Sequence, residues 1–263
     1  MNIYEYMSVE KDEKPLDRIV TDGGFCGIFR TIGCIGDSLS SGEFESINKD
    51  GSKEYHDFYE YSWGQFIARS TGSKVYNFSQ GGMTAKLYDD FANRSGFWKT
   101  DKLCQAYIIA LGVNDILNRA TPNLGSLADI DLENYENNAD TFAGNYAKII
   151  QRLKKLQPRA KFFLVSIPRY GDETDEKKRL HRDLLIDLSK LFTNTYVVDL
   201  YEYAPVYDQE FFEKYWLGHM NPMGYVLSAR MIESYIDYLI RKNPQDFNQV
   251  GFIGTELYYQ PEK

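Results

Sequence analysis

Residues 30–44, RTIGCIGDSLSSGEF, join a short apolar run to a polar Gly-Asp-Ser-Leu turn. The continuous hydrophobicity of the run is typical of a parallel strand that is buried on both faces. Ser38 follows this strand directly, at a place where a hydroxyl serves either as a helix cap or as a nucleophile. The Gly-x-Ser-x-Gly pattern of a nucleophile elbow is absent, because Ser40 rather than glycine follows Leu39. Partners elsewhere in the chain must therefore decide the role of Ser38.

Further apolar runs alternate with amphipathic segments of helical length. The predicted strands are residues 30–36, 74–79, 106–112, 161–167 and 196–200. The predicted helices are residues 61–72, 138–158, 175–192 and 221–242. Gly72 and Pro158 mark two of the helix ends. With right-handed crossovers, this order predicts an α/β fold, a flavodoxin-like three-layer α/β/α sandwich around a five-stranded parallel sheet.

Composition and charge restrict the class of protein. No repeat or linker interrupts the 263 residues, so we expect one domain over 1–263, with an N-terminal arm (1–29) and a C-terminal tail (244–263). A formal charge of -8 disfavours nucleic acid and anionic membrane surfaces as partners. The charged N-terminus and the short apolar runs predict neither a signal peptide nor a membrane anchor.

The cysteines and the absence of metal motifs point to a reducing compartment. Cys26, Cys34 and Cys104 are odd in number and widely spaced, as expected of free thiols in the cytoplasm, and the apolar surroundings of the last two favour burial. No CxxC or HxxxH pair offers a zinc site. We therefore expect a cytoplasmic protein that uses no metal and no cofactor. The sequence leaves its oligomeric state open.

Four candidate site residues stand after three of the predicted strands and before the last helix. Ser38 follows the first strand, Gly82 the second and Asn114 the third, and His219 precedes the final helix. Because the carboxyl ends of parallel strands meet at one edge of a sheet, these residues should lie close together. A nucleophilic hydroxyl needs a base, and the oxyanion that it creates needs preorganised donors, so this set of residues fits acyl transfer.

The same blocks resemble the SGNH (GDSL) hydrolase superfamily over about 190 residues, in the order of that family. The first block is GDSL, and the second is similar to Asn-x-x-x-x-Gly, with Asn77 at its start and Gly82 at its end. The third matches Gly-x-Asn-Asp at Asn114, and the last contains His219 followed by a turn and Gly-Tyr. The resemblance implies the SGNH hydrolase fold.

By this resemblance, Ser38 is the nucleophile and His219 its base. The oxyanion hole would consist of the N–H groups of Ser38 and Gly82 and the side-chain amide of Asn114. The family further implies a small-molecule ester as substrate, with an acyl-enzyme intermediate.

One position departs from the family pattern. Many members carry Asp three residues before the histidine, where this chain has Trp216. Three interpretations stay open. The backbone carbonyl of Trp216 orients His219, or a carboxylate of Glu213 or Asp208 replaces the missing acid. In the third interpretation the site is catalytically inactive and the chain only binds a ligand. The identity of the orienting group matters, because losing the correct histidine tautomer costs about 10⁴ in kcat.

Our leading hypothesis is a serine esterase that removes small O-acyl groups from a carbohydrate or other small molecule, with acetyl as the leading candidate for the acyl group. The alternatives are a catalytically weak protein that binds an acylated ligand, and an acyltransferase or thioesterase that uses the same site. The polar inserts 42–61 and 116–137 would shape the acyl and alcohol pockets. His56 and His181 are expected on the surface, with His56 at the pocket mouth as the alternative.

Overall fold

The computed structural model describes residues 3–118 and 123–251 of the chain. In these residues the strands are β1 (Thr31–Gly36), β2 (Glu43–Ile47), β3 (Lys53–Asp57), β4 (Lys74–Ser79), β5 (Ala106–Ala110), β6 (Lys161–Val165), β7 (Thr195–Val198), β8 (Trp216–Leu217) and β9 (His219–Met220). The α-helices are α1 (Ile3–Met7), α2 (Ser38–Ser41), α3 (Trp63–Thr71), α4 (Ala85–Ser95), α5 (Phe142–Leu156), α6 (Asp175–Leu191), α7 (Leu200–Tyr203), α8 (Gln209–Tyr215) and α9 (Pro222–Lys242). Five of the strands form one parallel sheet in the order β4-β1-β5-β6-β7.

Helices cover both faces of this sheet, and a separate apolar cluster lies between the sheet and the helices on each face. Helices α4, α5 and α6 pack on one face, where Tyr88, Tyr146 and Leu185 are buried. Helices α3 and α9 pack on the other face around Ile67 and Ile236. All five residues of β6 are buried, which explains why the strands are continuously apolar in the sequence. The predicted three-layer α/β/α fold is therefore confirmed.

The sequence predicted the strands of the parallel sheet and four of the helices, but not helix α4 or the strands β2 and β3. Helix α4 was missed because its buried residues are few and stand between charged ones. The insert 42–61 was predicted only as a polar segment that shapes the pockets, and β2 and β3 pair within it as an antiparallel hairpin. Gly42, with φ of +81°, turns the chain from α2 into this hairpin, and the side chain of Ser41 donates to Asp57 over 2.5 Å at its base.

The strand order opens a crevice at the carboxyl ends of β1 and β5. The chain runs from β1 to β4 on one side and then crosses to β5 on the other side of β1. Because the segments that follow β1 and β5 leave in opposite directions, they form the topological switch point where open α/β sheets bind ligands. Ser38 follows β1 and Asn114 follows β5, so both lie at this crevice.

The N-terminal arm packs on helix α9. The backbone N–H of Val20 donates to Ser234 Oγ over 3.0 Å, and that of Phe25 donates to Asp237 Oδ1 over 2.8 Å. Of the C-terminal tail, residues 244–251 are described and bury Phe247, whereas residues 252–263 lie outside the described part of the chain.

Two further expectations from the sequence concern the cysteines and the possibility of a membrane-spanning helix. Cys26, Cys34 and Cys104 are free thiols, as the sequence predicted; Cys34 and Cys104 are buried as expected, and Cys26 is buried as well. Burial raises the pKa of all three thiols. None of the helices in the two described ranges is long and apolar enough to cross a membrane.

Candidate active site

The turn after β1 presents Ser38 as the first residue of helix α2. Asp37 caps this helix, since its Oδ1 accepts from the N–H of Leu39 over 3.1 Å. Gly36 is needed directly before the turn, because a Cβ there would lie 2.1 Å from Ser40 Oγ. The cap therefore belongs to Asp37 and not to Ser38, and the hydroxyl of Ser38 is free to face the crevice.

Ser38 meets His219 across the crevice, although 181 residues separate them in the sequence. The Nε2 atom of His219 lies 3.1 Å from Ser38 Oγ. His219 stands on β9, and Gly218, with φ of +73°, makes the tight turn from β8 that brings it there. Asn221 then begins α9 by accepting from the N–H of Gly224 over 3.0 Å. The hydroxyl and the imidazole are thus within hydrogen-bonding distance.

Gly82 and Asn114 border the same space. Gly82 has φ of +71° in the turn that follows β4, a conformation that favours glycine. Asn114 lies in a single π-helical turn after β5, where its Nδ2 donates to Met83 O over 3.0 Å and its Oδ1 accepts from Asn118 over 2.8 Å. Since an amide nitrogen carries two hydrogens, Asn114 keeps one for a ligand.

One cavity of about 450 Å³ is lined by Ser38, Gly82, Asn114 and His219 together. We call it the Ser38 cavity. Its remaining walls are Leu39, Glu43, Tyr55, Val113, Asn118, Tyr170 and Trp216. The four residues that the sequence singled out are thus brought to one concave site at the carboxyl edge of the sheet.

A smaller and mostly apolar cavity of about 70 Å³ adjoins it. Leu39, Val113, Tyr170 and Trp216 belong to the walls of both cavities. Asp37 also lines this inner cavity; its Oδ2 is buried and has no hydrogen-bond partner among the described residues. Burial raises the pKa of Asp37 to about 7.

The groups that were expected to orient His219 do not reach it. The Nδ1 atom of His219 is buried, and within the described residues no hydrogen-bond partner meets it, the Trp216 carbonyl included. Glu213 instead accepts from Gln209 on the same helix over 2.9 Å. Asp208 caps that helix by accepting from the N–H of Phe211.

Glu43, which was not among the residues predicted from the sequence, contacts the imidazole. Its Oε1 lies 3.1 Å from His219 Nε2, the same nitrogen that faces Ser38. Glu43 begins strand β2, where its backbone carbonyl accepts from the hydroxyl of Tyr225 over 2.7 Å. The alternation of Glu43, Phe44 and Glu45 was a signal for a strand with acids on one face.

Burial and nearby acids have opposite effects on the pKa of His219, the predicted base. Burial lowers the pKa of His219, while the negative charges of Glu45 and Asp57 act in the opposite direction. Burial raises the pKa of Glu43, and the charge of Asp57 adds to this effect. The ring of Tyr55 also stands edge-on to the imidazole, with 5.7 Å between the centroids.

The other two histidines lie outside this cavity. His181 was expected on the surface, and this was wrong: its side chain is fully buried, with Nε2 3.2 Å from Leu111 O. It packs under the strand end that leads to Asn114, because a Cβ on Gly112 would lie 2.6 Å from the ring. His56 pairs with Ser46 on the hairpin over 2.8 Å.

Metal-ligating side chains do not cluster in the described ranges. No group of three or more histidine, cysteine, aspartate or glutamate residues there could hold a metal ion.

Solved structures share this fold at low sequence identity. A family two carbohydrate esterase from Clostridium thermocellum, solved in complex with cellohexaose, is 16% identical, with a TM-score of 0.58 over 80% of this chain and 64% of the esterase chain. A protein from Lactobacillus plantarum is 17% identical, with a TM-score of 0.57 over 80% of this chain and 97% of that one. A carbohydrate esterase family 2 enzyme with a carbohydrate binding domain, from Corynascus thermopiles (Myceliophthora fergusii), is 19% identical, with a TM-score of 0.54 over 80% and 66%.

The chain therefore spans slightly less than two thirds of the Clostridium and Corynascus chains. A comparison with curated protein sequences gave no significant match. The model of one family does match, across most of the chain. Because the GDSL-like Lipase/Acylhydrolase family aligns with residues 34–227, which include the Ser38 turn, the Asn114 turn and His219, the chain belongs to that family.

Proposed function

We propose that this protein is a serine esterase that removes small O-acyl groups from a carbohydrate or another small molecule, with acetyl as the leading candidate for the acyl group. The observation that carries the proposal is the 3.1 Å distance between Ser38 Oγ and His219 Nε2, in a cavity that Gly82 and Asn114 also line. We treat the chain as one catalytic domain that acts in the cytoplasm and needs no metal.

In the proposed reaction, His219 Nε2 takes the proton of Ser38 while Ser38 Oγ attacks the ester carbonyl. The N–H groups of Ser38 and Gly82 and the free amide hydrogen of Asn114 donate to the oxyanion. His219 then gives the proton to the leaving alcohol. A water molecule, activated by the same imidazole, attacks the acyl-enzyme and releases the acid.

The cavities support a short acyl group and a polar alcohol. The inner cavity of about 70 Å³ is mostly apolar and small, which suits an acetyl group or a slightly longer chain. The Ser38 cavity is larger and carries both polar groups and the aromatic rings of Tyr55, Tyr170 and Trp216. Rings beside hydrogen-bonding groups suit a sugar or polyol, and the Clostridium thermocellum esterase was solved with cellohexaose.

A fluorophosphonate probe tests the catalytic assignment. We expect the probe to add to the intact protein, labelling to vanish in Ser38→Ala, and labelling to fall by at least about 100-fold in His219→Ala. His56→Ala is the matched control, since this histidine lies on the neighbouring hairpin without lining the cavity. Folded wild-type protein that stays unlabelled would refute the esterase assignment.

One observation favours a binding protein as the second candidate. His219 can act as a base only with its proton on Nδ1, and this atom lacks a partner among the described residues. A structural neighbour, 15% identical with a TM-score of 0.51, is described as a carbohydrate esterase whose active site has divergent catalytic and non-catalytic binding functions. The binding candidate predicts that acetylated sugars bind without release of acetate and that the probe fails to react.

A further inference from the structure

The position of Glu43 beside the base raises the question of which group its carboxylate serves. Both Ser38 Oγ and Glu43 Oε1 lie 3.1 Å from His219 Nε2. A neutral imidazole nitrogen makes one good hydrogen bond, either through its lone pair or through its proton. While that lone pair faces the hydroxyl of Ser38, the carboxylate of Glu43 receives nothing from the ring.

The same carboxylate lies beside the space that a leaving alcohol must occupy. His219 delivers its proton from Nε2, so the leaving oxygen must come within about 3 Å of this atom. Glu43 Oε1 is 3.1 Å from it, and Oε2 faces the turn before Gly82, where a Cβ on Gly81 would lie 2.2 Å away. Only a glycine at position 81 leaves room for the carboxylate in this place.

Within the described residues, the carboxylate of Glu43 has no lysine or arginine partner. Only 14% of its side chain is exposed, and in residues 3–118 and 123–251 no lysine or arginine forms an ion pair with it. Lys53, a cation on the same hairpin, pairs with Glu45 over 2.7 Å. Water can solvate this carboxylate while the Ser38 cavity is open, so a ligand that displaces the water binds better if it brings a hydrogen-bond donor than if it brings none.

We propose that Glu43 selects the alcohol half of the ester, by accepting a hydrogen bond from a hydroxyl on the carbon next to the ester oxygen. This inference rests on the proposed esterase function and narrows its substrate class to acylated polyols and sugars. Simple alkyl esters offer no such donor, and alcohols that carry a phosphate or carboxylate group are repelled by the negative charge.

Two esters of nearly equal size test the inference. Hydroxyethyl acetate carries the neighbouring hydroxyl, whereas 2-methoxyethyl acetate has the same oxygen without the hydrogen. We expect wild-type kcat/KM to favour the hydroxyl ester by about 10- to 100-fold, the range of a hydrogen bond to a charged group. Glu43→Ala should remove this preference, and Glu43→Gln should weaken it. The readout is the ratio of the two kcat/KM values within each protein, so a change in rate that both esters share cancels.

Glu45→Gln is the matched control, because this acid stands on the same strand and pairs with Lys53 without lining the Ser38 cavity. It should keep the wild-type preference. Acetylcholine serves as a cationic ester without a donor: if Glu43 recognised charge alone, acetylcholine would match the hydroxyl ester in wild type and lose as much in Glu43→Ala, which would overturn the assignment.

Two further outcomes would also overturn it. If Glu43→Ala slowed both neutral esters equally and shifted the pH profile of kcat/KM, Glu43 would act through His219. If the preference for the hydroxyl ester survived in Glu43→Ala, another residue would read the alcohol. A wild-type protein that reacts with the fluorophosphonate probe but cleaves none of the esters contradicts this inference alone, whereas absent labelling contradicts the esterase function as well.

Discussion

Replacing Asp37 with asparagine should stabilise the protein at neutral and alkaline pH far more than in acid. The carboxyl group of Asp37 is 1% exposed, and its Oδ2 lacks a hydrogen-bond partner among the described residues. Burial, reinforced by the charges of Asp115 and Glu43, raises its pKa from an ordinary 3.8 to about 7. Asparagine keeps the acceptor for the N–H of Leu39 and resembles the protonated acid in shape.

The magnitude follows from the two pKa values. Between pH 3.8 and 7 the unfolded chain has lost the Asp37 proton while the native chain retains it, so the free energy of unfolding falls as the pH rises. At about 1.4 kcal/mol per pH unit, the loss is about 1.6 kcal/mol at pH 5 and reaches about 4 kcal/mol above pH 7. Asp37→Asn removes this loss, and its advantage over wild type should grow by about 2 to 3 kcal/mol between pH 5 and pH 8.

Urea unfolding of both proteins at pH 5, 6.5 and 8 measures this growth directly. Any effect of the substitution that does not involve the proton is the same at all three pH values and cancels in the comparison. Asp90→Asn, on the exposed side of α4, makes the same charge change without burial and should show no such trend. A constant difference between Asp37→Asn and wild type would refute the argument that the native protein raises the pKa of Asp37 from 3.8 to about 7.

Two further predictions concern the site, and a third concerns the buried His181. Because burial lowers the pKa of His219 below its ordinary 6.5, kcat/KM for p-nitrophenyl acetate should rise with a midpoint below pH 6.5 and then level off; a midpoint above 7 would contradict this. Asn114→Ala should lower kcat by about 100- to 1000-fold by removing an oxyanion donor, and a loss below threefold would exclude that role. Burial lowers the pKa of His181 to about 4, so the free energy of unfolding should drop by about 3 kcal/mol as the pH falls from 6.5 to 4. The neutral variant His181→Gln should lack this drop in urea unfolding, and an equal drop in both proteins would show that His181 is not its source.

The sheet could be predicted from the sequence because local and global preferences agree there. A strand covered on both faces must be apolar throughout, so the runs at 106–112 and 161–167 could be identified without knowledge of their neighbours. Residues at the carboxyl ends of such strands converge whatever lies between them, which is why Ser38 and Asn114 could be placed at one edge.

His181 shows where charge patterns mislead. Its neighbours in sequence are charged, and the segment was therefore assigned to the surface. The helical period carried the contrary signal, because His181 shares a face with Leu184, Leu185 and Leu188, at spacings of three, four and seven residues. Within a long helix, the helical spacing of apolar residues predicts burial better than the charge of the neighbours in sequence.

Glu43 could not be found in the same way, because its role depends on how a short insert folds back. Its place at the base follows from the pairing of β2 with β3 and from the contact of Ser41 with Asp57, both of which depend on tertiary structure. Gly81 makes room for the carboxylate from another strand end altogether. None of these contacts has a sequence period, so only the folded chain brings them together.

The hairpin β2–β3 also accounts for how His219 is held without an acid on Nδ1. A carboxylate on that nitrogen would fix the tautomer and leave Nε2 to the nucleophile, whereas Glu43 contacts Nε2 itself and cannot fix the base form. The orientation of the ring must then come from packing: Tyr55 stands edge-on to the imidazole, and Glu45 lies against Gly218 on the preceding turn. Glu43, Glu45 and Tyr55 all belong to this one hairpin. The segment that directly follows the nucleophile helix therefore supplies both the packing around the base and one wall of the space for the leaving alcohol.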